Sequence, residues 1–315
     1  MAWFSLWFPL LFQLAVPLLF VAWAAGGTFE RRTRVALAVL TALYLIAIGL
    51  AGLWLVLPWW LPCFHAALAM AAAARTWRRR PTHLAAAAAS SKIARSVMAA
   101  SAILLVTVIV VALIARRPPG ETVDLAFPLD AGTYLVANGG NHTLLNAHLG
   151  TFEDERFRAY RGQSYGVDLV RIDGMGRRAR GLLPADPRAY AIYGDRISAP
   201  CDGRVIAAVD GAPDMPPPHP DRSRMAGNHV LLDCAGVWVL LGHLAPGSVA
   251  VATAQQVARG QTLGRVGNSG NTGEPHLHIH AQRPGSEAEL LSGDPLPIRL
   301  DGRYLVRNDR VTPSP

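Results

Sequence analysis

Pro275-His276-Leu277-His278-Ile279-His280 alternates imidazoles with apolar residues over six positions. Side chains on a strand alternate faces, so the three imidazoles share one face and Leu277 and Ile279 the other. One histidine on a strand is an ordinary hydrogen-bonding residue. Three in register, following Gly267-Asn268-Ser269-Gly270-Asn271-Thr272-Gly273, are more than packing calls for. Imidazole suits zinc, and a catalytic zinc takes three protein ligands and keeps a fourth position open. The stretch predicts a β domain with one face directed at a metal.

Outward from it, β-type runs at 134–138, 166–172, 203–209, 229–233 and 237–241 are bounded by Gly, Pro, Asn and Asp turns, with no amphipathic helix among them. Arg116-Arg117-Pro118-Pro119-Gly120 opens a linker over 116–131, and 132–315 reads as a single all-β domain. The metal face needs a carboxylate from another strand. Asp168 in Tyr165-Gly166-Val167-Asp168 is the candidate, because Gly166 permits close backbone approach. His243, in Leu241-Gly242-His243-Leu244, ends a strand and can enter the same cleft. Asp214-Met215-Pro216-Pro217-Pro218 opens a loop to Gly227 that is either a solvated insertion or a groove rim. Cys201 and Cys234 sit beside strands that should be neighbours, and in an oxidising compartment they would form a disulfide. A cysteine metal site is excluded, since no close pair exists.

The remaining third is different. Residues 1–115 carry nine basic residues and one acid, Glu30, whereas 116–315 carry 21 of each. The formal charge of +8 therefore belongs to an apolar segment, which excludes a nucleic-acid surface on a folded domain. Residues 1–29, 35–74 and 96–115 contain no Asp, Glu, Lys or Arg. A span needs ~20 apolar residues. The 40-residue middle stretch holds two, broken at Pro58-Trp59-Trp60-Leu61-Pro62. Four spans are expected, near 3–24, 35–57, 59–75 and 96–115, forming an α-helical bundle in a lipid bilayer. The loops after spans one and three hold Arg31, Arg32, Arg34 and then Arg75, Arg78, Arg79, Arg80, Lys92, Arg95. The positive-inside rule puts both in the cytoplasm and everything after Arg116 outside. Arginine replaces lysine almost throughout, with abundant alanine, as in GC-rich bacterial genomes. The expected location is a bacterial inner membrane with a periplasmic C-terminal domain.

Several motifs occur in order: Gly166-Val167-Asp168, Ala199-Pro200-Cys201-Asp202-Gly203-Arg204-Val205, Gly227-Asn228-His229-Val230, Gly242-His243-Leu244, Val257-Ala258-Arg259-Gly260-Gln261-Thr262-Leu263-Gly264 and Pro275-His276-Leu277-His278. Over roughly 132–285 the succession resembles the lysostaphin-type zinc endopeptidases that cut peptidoglycan cross-links. The resemblance implies a compact antiparallel β domain with an open groove, Zn2+ as cofactor and peptidoglycan peptides as partner. It implies Asp168 and His278 as zinc ligands, His276 as general base, and His243 as the group that polarises water or stabilises the oxyanion.

One position departs. The family's first metal-binding His, four residues before the Asp, is Ser164 here. Either another imidazole replaces it, His148 first, then His142, then His280, or the site is degenerate and the domain binds the wall or activates another hydrolase. Residues 199–205 and 257–264 also resemble biotinyl and lipoyl carrier domains, a reading nearly excluded because Lys92 is the only lysine and lies outside the β domain. The expectation is a membrane-anchored zinc metallopeptidase with His148, Asp168 and His278 on the metal.

Overall fold

An apolar helix in lipid must satisfy its own backbone, and where it breaks, side chains must take over the freed groups. The computed structural model of the protein, which describes residues 7–26, 29–77, 92–285 and 289–313, shows this in its first compact unit, residues 3–114. Among the described residues, three helices are long and apolar enough to cross a membrane: Pro9–Gly26, Arg31–Ala51 and Lys92–Ile114. Their apolar side chains face outward; Ile103 and Leu104 are 69% and 63% exposed. The second ends at Gly52, earlier than the expected 57, and the buried Gln13 takes over the break. Its Oε1 accepts from Leu53 N at 2.8 Å and its Nε2 donates to Leu53 O at 3.3 Å. The expected third span is the helix Leu61–Thr76, with 16 residues. At ~1.5 Å per residue it covers ~24 Å, short of a ~30 Å hydrocarbon core. Arg34 closes its C-terminal end, donating to Thr76 O at 2.8 Å and Trp77 O at 2.7 Å, where a cation also suits the helix dipole. The span count thus roughly matches expectation. Arg78, Arg79 and Arg80 of the second basic loop lie outside the described residues.

Residues 115–315 form the second unit, which contains thirteen strands among the described residues. In chain order they are β1 (Val123–Leu125), β2 (Thr133–Asn138), β3 (Val167–Ile172), β4 (Arg196–Ser198), β5 (Gly203–Val209), β6 (Asn228–Cys234) and β7 (Val237–Leu244). Then come β8 (Gln256–Val257), β9 (Thr262–Arg265), β10 (Leu277–Gln282), β11 (Pro295–Leu296), β12 (Ile298–Leu300) and β13 (Arg310–Val311). The main sheet runs β13-β2-β3-β10-β7-β6-β5-β8, antiparallel throughout, with β11 added to β10. The histidine strand β10 lies in its middle, between β3 and β7.

Every second residue of that sheet points into one core. Leu277, Ile279 and Ala281 of β10 join Val239 and Leu241 of β7, Val230 and Leu232 of β6, and Val167 and Leu169 of β3. Small ribbons, β1 with β12 and β4 with β9, add Leu125, Ile298, Ile197 and Leu263. Each such side chain contributes ~1.5–3 kcal/mol on burial. The opposite face of the sheet is left for the histidines.

Two stretches differ from the sequence reading. Residues 116–131 contribute to the domain: β1 pairs in parallel with β12, and Arg116 forms an ion pair with Asp309. The partners are more than 170 residues away, so no local pattern marks them. The region 147–163, where no helix was expected, holds the short helical turns Ala147–Leu149, Gly150–Glu153 and Glu155–Gln163. They are one to three turns each, below the length at which a periodic apolar face becomes legible.

Cys201 and Cys234 form a disulfide, Cα–Cα 6.0 Å, beside the paired β5 and β6. The loop it closes, with a sequence separation of 33, restricts the unfolded chain by roughly 3–4 kcal/mol on the chain-entropy view. A Cys201→Ser/Cys234→Ser chain should unfold at distinctly lower urea concentration, by about that free energy. An unchanged midpoint would remove the disulfide from the stability account.

Candidate metal and catalytic site

The registers bring the polar residues together. Asp168 of β3 lies directly opposite His278 of β10, which in turn faces Gly242 of β7. Asp168 is 4% exposed, and a buried carboxylate must be paired. Its Oδ1 lies 2.8 Å from His278 Nδ1 and 3.5 Å from His276 Nε2. Its Oδ2 lies 2.9 Å from His148 Nε2 and accepts from Asn138 Nδ2 at 2.8 Å. Burial opposes its ionisation. The nearby His148 and His276, with hydrogen bonds from His148 and His278, outweigh this and hold the carboxyl well below its ordinary range.

His148 therefore meets Asp168 from the turn Ala147–Leu149. Asn146, fully buried, fixes that turn: its Oδ1 accepts from His148 N, and its Nδ2 donates to Gly140 O and Gly166 O, both at 3.1 Å. Gly166 is needed as expected. A Cβ there would sit 2.6 Å from His278 Cε1 and 3.3 Å from His148 Cδ2. Ser164 is buried behind, its hydroxyl donating to Arg161 O at 2.7 Å and lying 3.0 Å from Thr151 Oγ1. Thr151 in turn bonds the His148 carbonyl at 2.7 Å. His148, Asp168 and His278 offer ligand atoms all within 4.8 Å of one another, a nitrogen–oxygen–nitrogen set that suits zinc. His142 is exposed, and its Nδ1 accepts from Leu144 N. His280 lies behind His278, with its Nδ1 2.9 Å from His278 Nε2.

Two further imidazoles border the set. His276 Nδ1 lies 2.8 Å from Glu274 O, which makes Nδ1 the donor and leaves a lone pair on Nε2. Nε2 is buried and has no hydrogen-bond partner among the described residues. The Glu274 side chain is held by Arg178, 3% exposed, through contacts of 2.8–3.0 Å. His243 lies beside His276, the two rings tilted with centroids 4.8 Å apart, and 5.9 Å from His278. Its backbone is left-handed, φ +66°, which a residue with a Cβ adopts only when held there. Here His243 N donates to Ala226 O, Gly267 N donates to His243 O, and its Nδ1 lies 2.8 Å from Ser269 O. The glycine-rich run 267–273 thus serves as the collar of the site.

Burial, and next the surrounding imidazoles, push His243 well below the usual imidazole range. Burial does the same to His280. His278 falls to about 4, chiefly by burial, against the raising effect of its hydrogen bond to Asp168. These rings are neutral at pH 7, as ligation and proton acceptance require.

Sequence reasoning missed Asn138, Asn146 and Arg307. Arg307, 8% exposed, donates to Asn138 Oδ1 at 2.8 Å, Ala137 O at 3.0 Å and Leu144 O at 2.9 Å. It locks the residue that bonds Asp168. Asn138 reads as part of an ordinary Asn-Gly-Gly-Asn turn, and nothing marks an arginine in the C-terminal tail.

Beyond His280 the same face continues. His280 opposes Leu240, and Leu240 opposes Leu231. Leu231 and Leu240, with Ala226, His229, Leu290 and Leu291, line a cleft of about 610 Å3.

Residues 189–289 match the family model for Peptidase family M23. The match contains His243, His276 and His278 but starts after His148 and Asp168. No curated protein matches the chain. Among solved structures, a Pseudomonas aeruginosa protein assigned to peptidase M23 is 21% identical, covering 54% of this chain and 50% of its own, with a TM-score of 0.28. The catalytic domain of the antimicrobial peptidase lysostaphin from Staphylococcus simulans is 19% identical, 40% of this chain against 71% of its own, TM-score 0.26. A zinc containing peptidase from Vibrio cholerae is 19% identical, 59% against 37%, TM-score 0.29. The chain thus spans about half the length of the first of these, and scores at this level transfer no residue roles.

The lowered imidazoles set a pH dependence. Unfolded, they protonate near 6.5; folded, His278 does so only near 4. Between these values the unfolded state binds more protons, so stability rises with pH. The metal-free protein should lose stability as pH falls from 7 to 4, on the order of 3 kcal/mol from His278 alone. Thermal unfolding across that range checks it. A flat profile would contradict the buried, neutral assignment.

Proposed function

We propose that the chain is a membrane-anchored zinc metallopeptidase that hydrolyses peptide bonds of the bacterial cell wall, with His148, Asp168 and His278 as metal ligands. The observation that carries this is the convergence of His148 Nε2 and His278 Nδ1 on the two oxygens of one buried carboxylate. The imidazole missing from position 164 is supplied from a turn 16 residues upstream. A family domain that keeps four imidazoles and a carboxylate at one point favours catalysis over a binding role alone.

Zinc bound there would lower the pKa of a coordinated water to ~7 and polarise the scissile carbonyl. The protein's own groups handle the protons. His276, with Nδ1–H given to Glu274 O, presents Nε2 as the base that takes the water proton and returns it to the leaving amine. His243, with Nδ1–H given to Ser269 O, presents Nε2 as an acceptor. That suits it to orient the attacking water. As an oxyanion donor it would first have to gain a proton at Nε2, which its burial among imidazoles opposes. No serine or cysteine nucleophile is required by this chemistry.

The helices Pro9–Gly26, Arg31–Ala51 and Lys92–Ile114, joined by Leu61–Thr76, would anchor the domain in the inner membrane. With all four crossing, both arginine-rich loops face the cytoplasm and the β domain faces the periplasm. Alkaline phosphatase fused after Arg117 should then be active. A silent fusion there, with activity from a fusion between residues 78 and 92, would reverse the orientation.

Zinc analysis of the purified chain, read together with cleavage of wall peptides, tests the enzymatic reading. The wild type should hold one zinc. His148→Ala should lose most of it. His276→Ala should keep it while cleavage falls by roughly 10²–10⁴-fold. A wild-type protein with no zinc would favour a wall-binding or hydrolase-activating module instead, and full zinc in His148→Ala would reject that ligand.

A further inference from the structure

His280 is 1% exposed, yet it is neither one of the three converging groups nor part of the hydrophobic core. Buried polar side chains of this kind need partners. Its Nδ1 lies 2.9 Å from His278 Nε2, on the edge of the His278 ring opposite the one that meets Asp168. Gln282 lies two residues further along the same face of β10. His280 Nε2 and Gln282 Oε1 are both buried, and neither has a hydrogen-bond partner among the described residues. The Gln282 amide Nε2 donates to Leu290 O at 2.7 Å.

In the metal-free protein the ionised Asp168 accepts from His278 Nδ1, so His278 Nε2 accepts from His280 Nδ1, and a metal on His278 Nδ1 would reverse this pair. If His278 turns the lone pair of Nδ1 toward the metal, its proton sits on Nε2. That proton is donated to His280 Nδ1. The His280 proton is then on Nε2. Metal-bound imidazoles generally give their second N–H to an acceptor that fixes tautomer and ring orientation. Carboxylates and carbonyls are the usual acceptors; here the acceptor would be a neutral imidazole.

We infer that His280 is a positioning residue for the metal site: with a metal bound it accepts the Nε2–H of His278 and fixes that ring as an Nδ1 ligand. This rests on the zinc reading above. It separates His280 from the direct-ligand role that the sequence left open for it, because the metal-side nitrogen of His278 is the other one.

The test uses the full-length chain in detergent, with Zn2+ affinity measured by chelator competition and Co2+ substituted as a spectroscopic probe. His280→Ala removes the acceptor. Affinity should fall 10–100-fold, the range for loss of such a partner. His280→Asn places an oxygen acceptor near the Nδ1 position, and it should recover most of that affinity with the wild-type Co2+ d–d spectrum. Circular dichroism and thermal melting of the metal-free variants report whether each folds. Wild-type affinity in a folded His280→Ala would overturn the inference while leaving the zinc reading intact. Equal, severe loss in His280→Ala and folded His280→Asn, with altered Co2+ bands, would overturn it in favour of His280 as a direct ligand. A wild-type chain that binds neither ion would overturn the zinc reading and this inference with it.

Discussion

The Asp168 carboxylate is the constraint around which the β domain is arranged. It is a charge placed in the middle of a nine-stranded sheet, where an unpaired carboxylate is untenable. Its partners come from four separate places: β2 through Asn138, the turn Ala147–Leu149 through His148, β10 through His278, and the loop before β10 through His276. Each of three partners is in turn held by another group: Asn138 by Arg307, the His148 turn by Asn146, and His276 by the Glu274 carbonyl. The outcome is a shell of imidazoles around a negative centre, which is what a divalent cation requires and what an apolar core cannot provide.

Separation of the two faces of β10 makes this arrangement compatible with a stable fold. Leu277, Ile279 and Ala281 go into the main core, while His278, His280 and Gln282 form the opposite side, with registers fixed by β3 and β7. A slip of one residue would exchange the faces, burying imidazoles among leucines. The hydrophobic core therefore specifies the site, and no separate device is needed to aim the histidines.

How much of this was legible follows from range. The alternation at 275–280 marked both the strand and its histidine face, because period two is a local property. Asp168 and its neighbour Gly166 were legible from the need for a carboxylate beside a residue without a side chain. The six main strands were placed to within a few residues for the same local reason. What escaped was non-local or buried in small turns. Arg307 reaches Asn138 across 169 positions, and β1 meets β12 across about as many. No window of sequence contains both ends. The helical turns between 147 and 163 are too short to show a period, yet they bring His148 back to the cleft.

Position 164 is tied to the site through packing and hydrogen bonds. Ser164 follows the helical segment Glu155–Gln163, four residues before Asp168, and its hydroxyl donates to Arg161 O. The same hydroxyl lies against Thr151, which holds the carbonyl of His148. The small residue at 164 thus packs against the turn that carries His148 to Asp168.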